Sequence, residues 1–344
     1  MTNILEHLIS KKNLDYETMQ YVMHGIMHGE YSSEWIASFL TAMRIKGIVS
    51  EELLASVVIM QKLVTKVMPN SSNVVDVVGT GGDGIHTFNI STASMLVASS
   101  CGAKVAKHGN RGISSKSGSA DVLEALGVNL QLNPNNIVDC IDNLGLGFMF
   151  APNHHPAMKY VAPVRKILGI RTFFNVLGPL TNPAGVKRML MGVYSREWLE
   201  PIAGVLNQLG FEHAWVVCAE NGMDEISSSL NTYVYEVTNG KINSFMLDPT
   251  EYGFAKHDVK ELYASNPMHS AEIITQVLKG SEGAAFDMIC INAAATLYIG
   301  GIVESLEQGI ELAKLNIKNG NAYSKLKEFV HYTKSMASNS DLAL

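Results

Sequence analysis

Four stretches carry the residues able to do chemistry. The first, GTGGDG at 79–84, follows the β-branched run VVDVV (74–78) and leads through HTFNIST (86–92) toward a helix. Glycines let a chain turn tightly and bring its N–H groups against an anion, and a helix N-terminus adds donors and a favourable dipole. That combination reads as a phosphate cradle, although a plain glycine turn with Asn89 or Ser91 as helix cap accounts for the loop equally well. It is not G-x-G-x-x-G and no G-K-[ST] follows, which argues against dinucleotide or ordinary nucleoside-triphosphate binding. The second, KHGNRGISSKSGSADVLEALG (107–127), gathers Lys107, His108, Asn110, Arg111 and Lys116 among glycines and serines before a helix. Lys107 and the backbone amides suit phosphate charge, and Ser115 and Ser119 offer hydroxyl donors, while Arg111 and Lys116 serve as well as solvated surface cations.

The third stretch, 150–185, carries Arg165, Arg171 and Asn175 among five prolines. An arginine beside a cleft matches a carboxylate with its planar fork. His154 and His155 read as polar packing, since partners for a metal site are missing, and Pro156, Pro163, Pro179 and Pro183 suggest chain crossings where a hinge would sit. The fourth, ENGMDEISSS (220–229), offers Asp224 and Glu225, a hard-oxygen pair of the kind magnesium shares with substrate phosphates. A bare Asp-Glu pair is weak alone; its place opposite phosphate-binding loops gives it weight.

These loops need elements to position them. Residues 1–68 show apolar spacing of three and four, as in Ile4, Leu5, Leu8, Ile9 and in Met19, Val22, Met23, Ile26, and predict a small antiparallel helix bundle. Ser32 or Ser33 can cap a helix that stops at Gly47, and Ser50 with Glu51 and Glu52 opens the next. From Pro69 strand and helix alternate. Strands are expected at 74–78, 103–107, near 148–150 and at 214–219, with helices at 91–101, 119–126 and around 291–297. The expected fold is α/β, with a small all-helical domain and a larger domain whose mainly parallel sheet is covered by helices. Ligands in such sheets bind at the carboxyl ends of strands, where the four stretches fall.

Composition bounds the function. At 344 residues, 47% apolar and 17% charged, the chain fits two compact domains, and its net charge of −6 disfavours nucleic acid. The opening MTNILEHLISKKN reads as an amphipathic helix and not an export signal, so the mature chain is expected to start near Met1. The longest nearly apolar run, Met288 to Val303, falls short of the roughly 20 residues of a membrane helix and reads as a buried core helix. Cys101, Cys140, Cys218 and Cys290 lie far apart and read as buried thiols of a reducing, cytoplasmic setting.

Taken together, GTGGD, the Asn-Ile-Ser-Thr run at 89–92, the whole of 107–127, APVRKILGIRTFFNVLGPLTNPA and the Asp-Glu pair resemble the anthranilate phosphoribosyltransferase family in order and spacing. The likeness covers nearly the whole chain; only 262–272, LYASNPMHSAE, fits loosely. It implies transfer of a phosphoribosyl group from phosphoribosyl diphosphate to anthranilate in tryptophan biosynthesis. Carried over residue by residue, it places Gly79, Gly82, Asp83, Thr87, Asn89, Ile90, Ser91 and Thr92 around the sugar diphosphate. Lys107, His108, Gly109, Asn110, Arg111, Gly112, Ile113, Ser114, Ser115 and Ser119 complete that shell. Gly79, Asn110 and Arg165 would meet anthranilate, and Ser91, Asp224 and Glu225 would hold Mg2+, two ions per subunit; Lys107, Asp224 and Glu225 would assist the chemistry. The resemblance further implies a homodimer through a helical domain of residues 1–70, to which part of about 162–187 returns. Residues 71–161 and 188–344 would form the phosphoribosyl diphosphate-binding α/β domain. A nucleoside phosphorylase would carry a different phosphate signature. A silent nucleic-acid-binding relative would need a basic stripe and a degraded metal loop, and neither is present.

Overall fold

The computed structural model describes residues 2–112 and 116–340. The expected contacts of Ile113, Ser114 and Ser115 lie outside the described residues. Four helices come first: α1 (Thr2–Ile9), α2 (Tyr16–His28), α3 (Ser33–Lys46) and α4 (Ser50–Leu63). Asp15 caps α2 by accepting the Thr18 N–H at 2.7 Å, and Ser32 caps α3 by accepting that of Trp35 at 3.3 Å. Glu52, fully buried in α4, accepts from the Leu14 and Val49 N–H groups and from Lys46 Nζ at 2.8 Å. The carboxylate thus ties α3 and α4 to the α1–α2 connection through charge-assisted bonds.

The sheet has seven strands: β1 (Val75–Gly79), β2 (Val105–Gly109), β3 (Leu146–Phe150), β4 (Arg188–Gly192), β5 (His213–Ala219), β6 (Thr232–Thr238) and β7 (Lys241–Leu247). Their order is β3-β2-β1-β4-β5-β6-β7, parallel through β5 and antiparallel for the last two pairs. The chain builds outward from β1 to β3 and then restarts at β4 on the other side of β1. That reversal opens a crevice at the carboxyl ends of β1 and β4. Helix α5 (Ile90–Ser100) follows β1, and α6 (Ser119–Ala125) follows β2.

Alternate strand residues enter different cores. Val75, Val77, Leu190, Trp215 and Val217 pack with α5 and the helices Pro267–Leu278, Ala284–Ile299 and Leu306–Lys318. Val78, Met189, Met191, Ala214 and Val216 share a continuous core with the first four helices and with Leu199–Gln208. Burial on both faces explains why the parallel strands are apolar throughout, each large side chain adding roughly 1.5–3 kcal/mol. Met288 to Ile299, the larger part of that run, lies in the buried helix Ala284–Ile299, which ends at Gly300, and no described helix is long and apolar enough to cross a membrane.

Between β3 and β4 the chain packs against α3 and α4. Helix Ala162–Leu168 lies against α3, the Phe173 ring meets that of Phe39 edge-on at 6.3 Å, and Gln61 donates to the Leu180 carbonyl. The 64–68 connection is pinned in turn: Thr65 N–H donates to His154 O at 2.8 Å and Val67 N–H to Pro183 O at 3.0 Å.

Candidate active site

The carboxyl ends of β1, β2, β4 and β5 bring the expected polar groups together. Asp224 Oδ2 accepts the Gly81 N–H at 2.6 Å, and Glu225 Oε1 accepts the Ser91 N–H in the first turn of α5 at 3.1 Å. Lys107, from β2, donates to Val77 O at 2.5 Å and to Ser91 Oγ at 3.1 Å. Ser91 thereby touches both Lys107 and Glu225. A side chain at Gly79 would strike the Asp224 carboxylate, and one at Gly192 would strike the Asp224 backbone. Only glycine at both strand ends lets the 224–225 turn pack this closely.

The cluster is rich in buried negative charge. Burial first, and then Asp83, push the Asp224 carboxyl well above its usual range; burial and then Asp224 do the same to Glu225. Burial also raises Asp83, whose Oδ1 accepts the Ile85 N–H at 3.1 Å. Lys107, buried, is pulled down by desolvation and supported by Asp76, Glu225 and Asp224. One ammonium therefore faces several carboxylates. No set of three or more His, Cys, Asp or Glu residues forms a closed metal cage among the described residues. Two carboxylates and a hydroxyl are all hard oxygen donors. They fit magnesium, which keeps waters and takes its other ligands from a substrate's phosphates.

The loop after β2 is held by α6. Asp121 Oδ2 accepts the N–H groups of both Gly112 and Gly118, at 2.9 and 3.0 Å, so one carboxylate staples the two ends of the loop. The Arg111 guanidinium is committed to Asp121 and Glu124 and lies 5.4 Å from the Phe150 ring, which leaves it facing α6. Lys116 donates to Tyr263 Oη at 2.9 Å. Ser119 Oγ donates to Asn110 O at 3.4 Å, and a Cβ on Gly109 would collide with Ser119 and Phe148. His108 is buried with its ring 5.0 Å from that of His155; desolvation holds its pKa well below the usual range and that of His155 at about 4. Both imidazoles are neutral at pH 7, so His108 is no ready source of a proton. His154 and His155, read from the sequence as polar packing, are both buried, and His154 Nδ1 lies 2.9 Å from the Thr65 carbonyl.

In the first loop, Gly82 has φ 78° and lies against Arg171, which donates to its carbonyl. Thr87 forms an isolated bridge with Tyr263, Ile90 and Thr92 are buried at the start of α5, and Asn89 is gripped by Ser117 and Ser270. Arg165 stands apart. It sits on Ala162–Leu168 with its guanidinium 5.6 Å from the Phe174 ring, and no hydrogen bond or ion pair joins its side chain to Gly79 or Asn110 among the described residues. Burial alone lowers its pKa.

Three supporting residues went unread in the sequence. Asp76, fully buried in β1, accepts from Asn182 Nδ2 at 2.7 Å and, with its pKa raised by burial to about 6, still supports the Lys107 charge. The signal was available, because an acid inside a β-branched strand must have a partner. Asn182 and Asp121 gave no comparable sign.

The architecture and the strand-end cluster define a class. Residues 71–323 match the model described as "Glycosyl transferase family, a/b domain", and residues 2–63 match "Glycosyl transferase family, helical bundle domain". Among curated relatives, the anthranilate phosphoribosyltransferase of Polynucleobacter necessarius is 49% identical over 332 residues, 96% of this chain and 97% of that protein. Among solved structures, the enzyme of Thermus thermophilus superposes with a TM-score of 0.90 at 39% identity, covering 96% of this chain and 99% of that one. The Saccharomyces cerevisiae enzyme in complex with PRPP and Mg gives 0.89 at 28%, covering 96% and 97%. The chain belongs to the anthranilate phosphoribosyltransferase family, enzymes of tryptophan biosynthesis.

Proposed function

We propose that this chain transfers the 5-phosphoribosyl group of phosphoribosyl diphosphate to the amine of anthranilate at the strand-end cluster, releasing pyrophosphate. One observation carries the reading: Lys107, Ser91 and the Asp224-Glu225 pair, from three separate segments, are joined by hydrogen bonds in one cluster at the carboxyl edge of the sheet. The amine of anthranilate is already nucleophilic, so the demanding event is cleavage of the bond from the anomeric carbon to diphosphate, as the new carbon–nitrogen bond forms and an amine proton is lost. Positive charge grows on the ribose and negative charge on the leaving group, much as in glycoside cleavage. Lys107 and the backbone N–H groups of the 82–84 turn meet that negative charge. Each well-placed donor is worth about 2.7–4 kcal/mol.

Ser91, Asp224 and Glu225 would hold magnesium, two ions per subunit, and the metal would supply neutralisation of the diphosphate. Gly79, Gly82, Asp83, Thr87, Asn89 to Thr92, Lys107 to Ser115 and Ser119 form the proposed donor shell; within it the Arg111 side chain is engaged by Asp121 and Glu124, and its N–H donates to Asn110 Oδ1 at 2.8 Å. Arg165 takes the anthranilate carboxylate, with Gly79 and Asn110 beside it. Residues 1–70, joined by part of 162–187, form one closing body and 71–161 with 188–344 the other. A homodimer through the helical body is supported by Ile9 and Ile45, 67% and 70% exposed on α1 and α3. Four free cysteines suit the cytoplasm.

The test is direct. Mixing the protein with magnesium, phosphoribosyl diphosphate and anthranilate should abolish anthranilate fluorescence, and omission of any one component should preserve it. Fluorescence that persists with all components present would refute the assignment.

A further inference from the structure

The segment with the loosest family likeness, 262–272, grips the donor loops from outside. Phe88 N–H donates to Leu262 O at 2.8 Å and Ala264 N–H to His86 O at 3.1 Å, so the approach to α5 is paired with this segment. Lys116 reaches Tyr263 from the second loop. At the centre lies Ser270, fully buried in the first turn of Pro267–Leu278. Its Oγ accepts the Asn89 backbone N–H at 2.9 Å and donates to Asn89 Oδ1 at 2.9 Å. Ser117 Oγ donates to the same Oδ1 at 2.8 Å, while Asn89 Nδ2 donates to Ser117 O at 3.3 Å.

A carboxamide oxygen accepts two hydrogen bonds and its nitrogen donates two. Both acceptor sites of Asn89 Oδ1 are filled by hydroxyls, and one N–H is filled by a carbonyl. What the amide has left to offer a ligand is an N–H. Rotating the amide by half a turn would set Nδ2 against two hydroxyls and Oδ1 against the Ser117 carbonyl, so the orientation is determined by the network. An acceptor-only anion such as a phosphate is met by a donor, whereas a flipped amide would present an oxygen to it.

We infer that Ser270 is a positioning residue for the sugar diphosphate, locking Asn89 with its N–H available to the anion and bracing the start of α5 where Ser91 lies. The inference rests on the donor-site reading above. It assigns to the 262–270 segment a task that sets donor affinity and leaves acceptor affinity alone.

The test is a set of steady-state measurements on full-length Ser270→Ala, Asn89→Ala and the double variant, with Ser117→Ala as a second probe of the same oxygen. Ser270→Ala should raise the KM for phosphoribosyl diphosphate about tenfold, the scale of one or two lost hydrogen bonds, and leave that for anthranilate within about twofold. Ser117→Ala should shift the same KM in the same direction. In the Asn89→Ala background the Ser270 effect should shrink to less than about twofold, because the group it orients is gone. An unchanged donor KM in folded Ser270→Ala and Ser117→Ala, or an equal rise for both substrates, or an undiminished effect without Asn89, would overturn the proposal. A wild-type protein that does not consume phosphoribosyl diphosphate would refute the donor-site reading itself.

Discussion

The proposed donor pocket and the proposed acceptor flank are charged in opposite senses. At the ends of β1, β2 and β5, Asp224 and Glu225 lie near Lys107 and Asp83 lies near Asp224; burial raises all three carboxyls, and repulsion adds to it for Asp224 and Glu225. On Ala162–Leu168, Arg165 is partly buried with an aromatic ring and no carboxylate in contact among the described residues. Buried charge is stable only when compensated. A surplus of carboxylates suits a divalent cation carried with a polyphosphate, and a lone guanidinium suits a single carboxylate. Beside Lys107 lies a seam of two buried imidazoles, His108 and His155, whose ring centroids are 5.0 Å apart and whose pKa values burial holds below the usual range.

The comparison breaks most visibly if a donor carboxylate is removed. Glu225→Gln is expected to cut kcat/KM by about 100- to 1,000-fold and to raise the magnesium needed for half-maximal rate; Asp224→Asn should act in the same direction. A magnesium titration at saturating substrates checks both. The acceptor side responds differently: Arg165→Ala should raise the KM for anthranilate about 10- to 100-fold, the cost of losing a charge-assisted hydrogen bond, and leave that for phosphoribosyl diphosphate within about twofold. Equal losses would mean that the two flanks are one site.

Protonation sharpens the contrast. Asp224 and Glu225 have raised pKa values and must lose their protons to ligate magnesium, so magnesium affinity should rise with pH from 6 to 8; calorimetry at several pH values measures it. The seam contributes the smallest effect. His155 has a native pKa of about 4 against the usual 6.5, so between these values the unfolded chain binds more protons and stability falls as pH falls. His155→Gln should reduce the loss of unfolding free energy between pH 6.5 and 4 by at least about 1 kcal/mol, as measured by denaturant titrations at each pH.

Much of this was legible in the sequence because the donor groups stand beside glycines at strand ends. Gly79, Lys107 and the 224–225 pair were readable from punctuation and charge; of the two caps expected, Ser32 or Ser33, the first is observed, and the strand expected at 214–219 is found at His213–Ala219. Strand β4 was not read, since RMLMG has no β-branched residue to mark it. The hairpin β6–β7 carried a clear sign, Asn239-Gly240 with both φ angles positive, but lay outside the four stretches that held the chemistry. Ser270 and Asn182 were beyond reach, being 181 and 106 residues from Asn89 and Asp76, the partners that give them meaning.

The most direct test of the opposed fields is a titration of phosphoribosyl diphosphate into the wild-type protein and into Glu225→Gln, each with and without magnesium. Wild-type affinity should tighten at least about tenfold when magnesium is added, and the variant should lose most of that gain. Equal wild-type affinity in both conditions would contradict a donor pocket built around surplus carboxylates.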